Sequence, residues 1–332
     1  MNKYQFISLA NHMLYEALVN VADDLNQSVR KLSEPAHTAS IVSKFPNLMN
    51  QRWEEVKFGG CFIHQSPLVE MHISEKDNTC EVGDLLCLCK KTVDGNIRYN
   101  ATLFQIKKNK SGIGRVKPDN VKQRRLYTEW PKFSFVYSNG NSANNLYDIK
   151  PKNVTPGAQY MFINKAPYYS HYCRCCRGYG PIVFTHSIPA SIMENNSENS
   201  FGLFLWDFIH WQNGRSISKQ SDANDDEWSR FVWELIDRSK FNVYNINKKS
   251  PKWHICDLRS NGEFFAFMTD MAMGIFDDQP YYKWVEQTQS HAGEKIIPET
   301  DNHIEETERP EVTEENLLGI SILFIDLDGD VR

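Results

Sequence analysis

The stretch over residues 80–110, CEVGDLLCLCKKTVDGNIRYNATLFQIKKNK, leaves the chain the fewest ways to fold. Asp84 opens an apolar run over 85–89, the chain reaches Asp94-Gly95, and a second strand-like run returns through Tyr99 to Ile106. An Asp-Gly pair between two such runs predicts a hairpin. Gln105 and Lys107 lie two residues apart on the returning strand and so share one face. Folding the strands back to back brings Asp84 toward that pair. A carboxylate, an amide oxygen and an ammonium on one edge can hold a divalent cation and activate water beside a phosphate. The plainer alternative is a half-exposed strand with polar residues at alternate positions. It accounts less well for a Gln and a Lys directly after the apolar ATLF.

A chain of 332 residues can bury one large core or build two domains. The net charge of -5 is distributed unevenly. Residues 81–132 hold twelve Lys or Arg against five Asp or Glu, whereas residues 286–332 hold three against thirteen. The basic stretch lies on the candidate site, where a polyanion would approach. Its cations include Lys108, Lys110, Arg115, Arg124 and Arg125. The two arginines fall on a predicted helix, where they suit either phosphate contacts or ordinary solvation.

The opening MNKYQFISLANHML has no signal-peptide pattern, and no run of 18 apolar residues occurs, so a cytoplasmic protein without a membrane partner is expected. The eight cysteines do not form a secreted disulfide framework. Cys87 and Cys89 alternate with leucines and read as small buried residues. In HYCRCCRG, Cys173 and Cys176 have the spacing of one zinc-ligand pair, with His186 or Cys256 to complete it. A reduced cysteine cluster at a turn is favoured over structural zinc.

Residues 5–30 carry a helical apolar stripe, and a second helix is predicted over 38–55, interrupted at Pro46. Residues 61–73 read as one short strand or an irregular connection. After the hairpin, a helix over 120–130 is stopped by Pro131, and a strand follows over 133–137. This order suits a mixed sheet with helices on its faces. Residues 201–211 and 225–239 read as apolar and amphipathic helices, and 241–246 as a strand. Asp207 and His210 in the first of these helices read as structural. An acidic linker is predicted over 286–316, followed by a strongly strand-like terminus over 317–332 that docks on the core sheet or on a partner.

Asp84, a hairpin and then Gln105-Ile106-Lys107 resemble the active-site core of the PD-(D/E)XK nuclease superfamily. EVGDLL followed by ATLFQIKK is similar to the variant with glutamine in the third acidic position. That variant occurs in restriction-type and anti-phage defence nucleases, including the effectors of CBASS and Lamassu systems. The resemblance covers about residues 10–137. It implies an α/β fold with a restriction-endonuclease-like mixed sheet core flanked by helices over 1–137. An α+β C-terminal half follows, with 138–285 an extension open to partner binding. It also implies a metal-dependent endonuclease acting on DNA, within a bacterial defence complex of several proteins. Asp84, Gln105 and Lys107 would be catalytic. Asp84 and Gln105 would hold Mg2+ or Mn2+, helped by Glu81 or by an earlier acidic residue among Glu55, Glu54 and Glu16. Lys107 would orient the attacking water. Glutamine at 105 removes one negative charge, so an inactive binding or assembly subunit with a degenerate core is the alternative.

Overall fold

The computed structural model describes residues 1–26, 28–63, 67–74, 78–109, 113–114, 121–136, 142–150, 157–164, 172–173, 178–179, 183–187, 193–194, 200–219, 222–223, 226–249, 266–268 and 319–328. The chain begins with α1 (Lys3–Asp24), whose N-terminus is closed by a capping box between Asn2 and Gln5. A short 3-10 turn leads to α2 (Glu34–Ala39), a π-turn over Ser40–Lys44 and α3 (Phe45–Arg52). The backbone stays helical from α2 through the π-turn into α3, and the α-type bonding is interrupted just before Pro46, as the sequence led one to expect.

Five strands follow: β1 (Val56–Ile63), β2 (Leu68–Met71), β3 (Thr79–Glu81), β4 (Leu85–Val93) and β5 (Asn96–Asn109). Beyond them lie β6 (Ile113–Gly114), α4 (Val121–Glu129), β7 (Phe133–Val136), β8 (Ser142–Tyr147) and β9 (Ala158–Asn164). Three short strands come next: β10 (Tyr172–Cys173), β11 (Gly178–Tyr179) and β12 (Val183–Ser187). The remainder comprises β13 (Met193–Glu194), α5 (Phe201–Ile209), β14 (Arg215–Ile217), α6 (Glu227–Lys249), β15 (Ala266–Met268) and β16 (Ser321–Asp328).

The principal sheet has the order β12-β9-β5-β4-β16-β1-β15, with β14 also pairing with β5. Its β4–β16 and β5–β9 contacts are parallel and the others antiparallel, so the sheet is mixed and open. Strand alternation sends each side chain to one of two cores. Leu85, Cys87, Cys89, Phe104 and Ile106 join α1, α3 and α5 on one face. Leu86, Leu88, Ala101 and Leu103 join residues of α4 and α6 and of a second sheet, ordered β3-β2-β7-β8, on the other.

Two expectations change here, and the terminal strand takes the first of its two expected places, the core sheet. Residues 61–73 supply the end of β1 and all of β2. The strand expected over 241–246 is the continuation of α6, whose helical period runs through it. The terminal strand sits between β4 and β1, buried on both faces, which explains its unbroken apolar run. The sheet thus takes strands from the whole chain, and the boundary at residue 137 does not divide it.

Cys61, Cys80, Cys87 and Cys89 are free and buried, and burial pushes the Cys80 thiol up to about 12. The side chains of the 171–176 cluster, His186 and Cys256 lie outside the described residues, as does the linker over 286–316.

Candidate active site at the open end of the hairpin

Asp94 and Gly95 both take positive φ, 51° and 75°, and Val93 pairs directly with Asn96. This two-residue turn matches strand twist and fixes the register. Pairing then runs to Leu85 opposite Phe104, and Asp84 N donates to Phe104 O at 2.8 Å. There β4 begins, while β5 continues to Asn109. Gly83 lets the chain enter at this point, because a Cβ there would meet the Tyr127 hydroxyl at 2.7 Å.

Beyond Phe104, the edge of β5 on the β4 side would be left with unsatisfied amides. Leu103 N donates to Gly157 O on the β9 side, so odd-numbered amides face β9 and even-numbered ones face β4. Two carboxylates take the amides on the β4 side. Ile106 N donates to Asp84 Oδ2 at 2.6 Å, and Lys108 N donates to Glu34 Oε1 at 2.9 Å. The Ile106 carbonyl points to the same side as its N–H, between the amides of Ile106 and Lys108.

Gln105 and Lys107 lie on the opposite set of positions. Gln105 is fully buried, and its Nε2 donates to Asp84 Oδ2. Its Oε1 is buried without a partner. Lys107 is half-buried on the same strand face. Burial pushes the Asp84 carboxyl up to about 7. Lys107 and the Ile106 N–H act against that rise, while Glu81 and Glu34 add to it.

The hairpin therefore brings Asp84, Gln105 and Lys107 together. Glu81 ends β3, is exposed, and accepts from Gln123 Nε2 of α4 at 3.3 Å. Glu55 lies elsewhere. The next residue, Val56, pairs with Leu327, which pairs with Lys91, seven residues along β4 from Asp84 and about 20 Å away. Glu54 shares that end of the sheet, and Glu16 on α1 is not among the charges acting on Asp84. Glu55 instead accepts from Trp53 Nε1 at 3.2 Å.

Among the basic residues, Lys108 turns its ammonium onto Leu32 O, and Arg125 pairs with Glu129 at 2.9 Å. Both are already engaged within the fold. Arg124 is half-buried, and its charge reaches Tyr160 beside the site. Lys110 and Arg115 lie outside the described residues.

Sequence reasoning missed Glu34. A signal was present: Ser33 accepts from Ala36 N as a helix cap, and Glu34-Pro35 supply the acidic and proline residues typical of a first turn. Tyr160 stands opposite Gln105 in the β5–β9 register.

Among the described residues, no three His, Cys, Asp or Glu side chains converge as a metal-binding group. The donor set is instead one carboxylate, the unpartnered amide oxygen of Gln105 and the Ile106 carbonyl, with Glu34 one step along the strand. These are hard oxygen donors, of the type Mg2+ or Mn2+ accepts. Gln105 turns Nε2 rather than Oε1 toward Asp84, so its buried, unpartnered oxygen would share an ion with that carboxylate only after the amide turns over. Compared with protein-family models, with curated proteins and with solved structures, the chain matches none of them.

Proposed function

We propose that this chain is a metal-dependent endonuclease that hydrolyses DNA phosphodiester bonds as the effector subunit of a bacterial anti-phage defence complex, built on a restriction-endonuclease-like core. The convergence of Asp84, buried Gln105 and Lys107 at the open end of the hairpin carries this reading. An ordinary row of solvated side chains would not include a fully buried glutamine bonded to a carboxylate.

Asp84 and the Gln105 amide oxygen would hold Mg2+ or Mn2+, with the Ile106 carbonyl beside them. Such an ion, when bound, supplies Lewis-acid polarisation of a phosphate and lowers the pKa of a bound water. Lys107 lies near enough for its charge to act on Asp84, and there it would offset charge on a scissile phosphate and orient the attacking water. Arg124 flanks the same end and suits backbone phosphate contacts, which position the duplex without reading its sequence.

The small carboxylate count favours a second reading, an inactive DNA-binding or assembly subunit with a degenerate nuclease core. Cleavage assays separate the two. Linear and supercoiled DNA would be incubated with Mg2+ or Mn2+ and the wild type, Asp84→Ala or Lys107→Ala, alone and with native partner proteins. Metal-dependent cutting lost in both variants supports the nuclease. Silence that persists with the partners, or cutting that survives both changes, overturns it.

A further inference from the structure

Asp84 ends the short link Val82-Gly83-Asp84 between β3 and β4. The helix α4 holds this link through two side chains one turn apart. Tyr127 donates its hydroxyl to Val82 O at 2.8 Å, and Gln123 Nε2 donates to Glu81 Oε2 at 3.3 Å. The fit is close, since a Cβ at Gly83 would meet the Tyr127 hydroxyl at 2.7 Å and Leu103 Cδ1 at 2.8 Å. Tyr127 is fully buried, with its ring stacked on Trp130 at 6.0 Å between centroids. Val82 is fully buried too, so its carbonyl needs a donor from within the protein.

Asp84 is thus held from two sides. On the β5 side its N–H donates to Phe104 O, and its carboxylate accepts from Ile106 N and Gln105 Nε2. On the α4 side, the Tyr127 hydroxyl sets how closely the link approaches β5. Arg124 lies three residues before Tyr127 on the same helix, and its charge reaches Tyr160 beside the site. One helix therefore carries both a cation suited to a phosphate and the hydroxyl that fixes the backbone leading into the carboxylate.

We propose that Tyr127 is a positioning residue whose hydroxyl, through the Val82 carbonyl, sets the place of Asp84 relative to the Ile106 N–H and to Arg124. The geometric half of this inference stands on the contacts alone, and its catalytic half rests on the nuclease reading above. Tyr127 acts through the backbone. Its loss should misplace the carboxylate without removing any group that binds or reacts.

The test compares two hydroxyl deletions in the full chain. Tyr127→Phe keeps the packed ring and leaves the Val82 carbonyl without that donor. Tyr147→Phe is the control, because it removes another buried hydroxyl, the one bonded to Glu234 between β8 and α6. Both should lower the thermal transition by a few degrees, as the loss of one buried hydrogen bond does. Two readouts separate positioning from stability. In the metal-free protein, exchange of the Ile106 amide, whose acceptor is Asp84, should quicken about tenfold relative to the amides paired between β4 and β5 in Tyr127→Phe alone. In DNA cleavage with Mn2+, Tyr127→Phe should lower kcat about tenfold and leave KM within about twofold, since Arg124 still meets the phosphate. Tyr147→Phe should leave both constants at the wild-type values.

Unchanged relative exchange at Ile106 in Tyr127→Phe, or an equal rise in Tyr147→Phe, overturns the positioning role. Selective exchange with an unchanged kcat overturns its part in catalysis. Selective exchange in a protein whose wild type cuts no DNA, even with its native partners, overturns the nuclease reading while the placement of Asp84 by Tyr127 stands.

Discussion

The two ends of the β4–β5 hairpin solve the same problem, charged residues on a buried strand pair, in opposite ways. Near the turn, Lys90 of β4 lies opposite Asp326 of β16, with Nζ 3.9 Å from Oδ2. Lys91 rests its ammonium over the Trp211 ring, 5.7 Å from the centroid. Charges there meet opposite charge or an aromatic face. At the open end, Asp84 is surrounded by burial and by two further carboxylates, Glu81 and Glu34, against one nearby ammonium. The first end is arranged for stability. The second holds a carboxylate in surroundings that disfavour its charge, which is how sites that bind cations or move protons are commonly built.

The difference gives the two ends opposite responses to neutralisation. The Asp84 carboxyl, ordinarily near 3.8, sits at about 7 in the folded chain. The folded state therefore holds the proton more tightly than the unfolded one. Stability on this account is greatest at low pH, falls as pH rises from about 4 to about 7, and stays reduced above that. Asp84→Asn removes the charge altogether. After a discount for partial solvent screening and a lost hydrogen bond, it should raise stability by about 2 kcal/mol at pH 8 and by almost nothing at pH 4. Denaturant unfolding at the two pH values measures this. A loss of stability at pH 8 would mean that the open end is as well compensated as the turn end.

A divalent ion should reverse the same deficit. At tenfold excess over its dissociation constant, Mn2+ should stabilise the wild type by about 1.4 kcal/mol at pH 8. The gain should shrink below about pH 7, where a proton occupies Asp84, and should be absent in Asp84→Asn. Thermal shifts with and without Mn2+ at pH 5.5 and 8 test both statements. A shift of equal size at the two pH values would place the ion elsewhere.

The turn end should respond the other way. Asp326→Asn leaves the Lys90 ammonium, only 13% exposed, without its counter-charge. The expected loss is about 1 kcal/mol at pH 7, small for a buried pair because the ions are 3.9 Å apart. Equilibrium unfolding would show whether the sign is indeed opposite to that of Asp84→Asn.

Local signals made one of these ends easier to read than the other. The Asp-Gly turn and the apolar alternation around it are determined by backbone preference, so hairpin, register and the shared face of Gln105 and Lys107 were legible in sequence. The insertion of β16 beside β4 was not, because an apolar run records that a strand is buried and not which neighbour buries it. The same limit hid Glu34. Its capping signals place a helix start, but its proximity to Asp84 depends on α2 crossing the edge of β5. Glu55 had an equally plausible sequence position and lies at the other end of the sheet. Residues near in sequence to a site are poor guides to which acidic side chain reaches it.

The smallest test concerns that crossing. Glu34 is the weakest of the named influences on Asp84, below burial, Lys107, Glu81 and the Ile106 N–H. Glu34→Gln keeps a side-chain oxygen to accept from Lys108 N and removes only the charge. The strand edge should therefore remain closed, with global stability changed by less than about 0.5 kcal/mol, as for a substitution that breaks no contact. The Asp84 carboxyl should titrate slightly lower, by a few tenths of a pH unit, since a like charge disfavours its ionised form. The pH midpoint of Mn2+-dependent stabilisation reports that shift. A midpoint that rises would mean Glu34 supports the ionised carboxylate, and the open end would then be a mutually stabilised cluster rather than a crowded one.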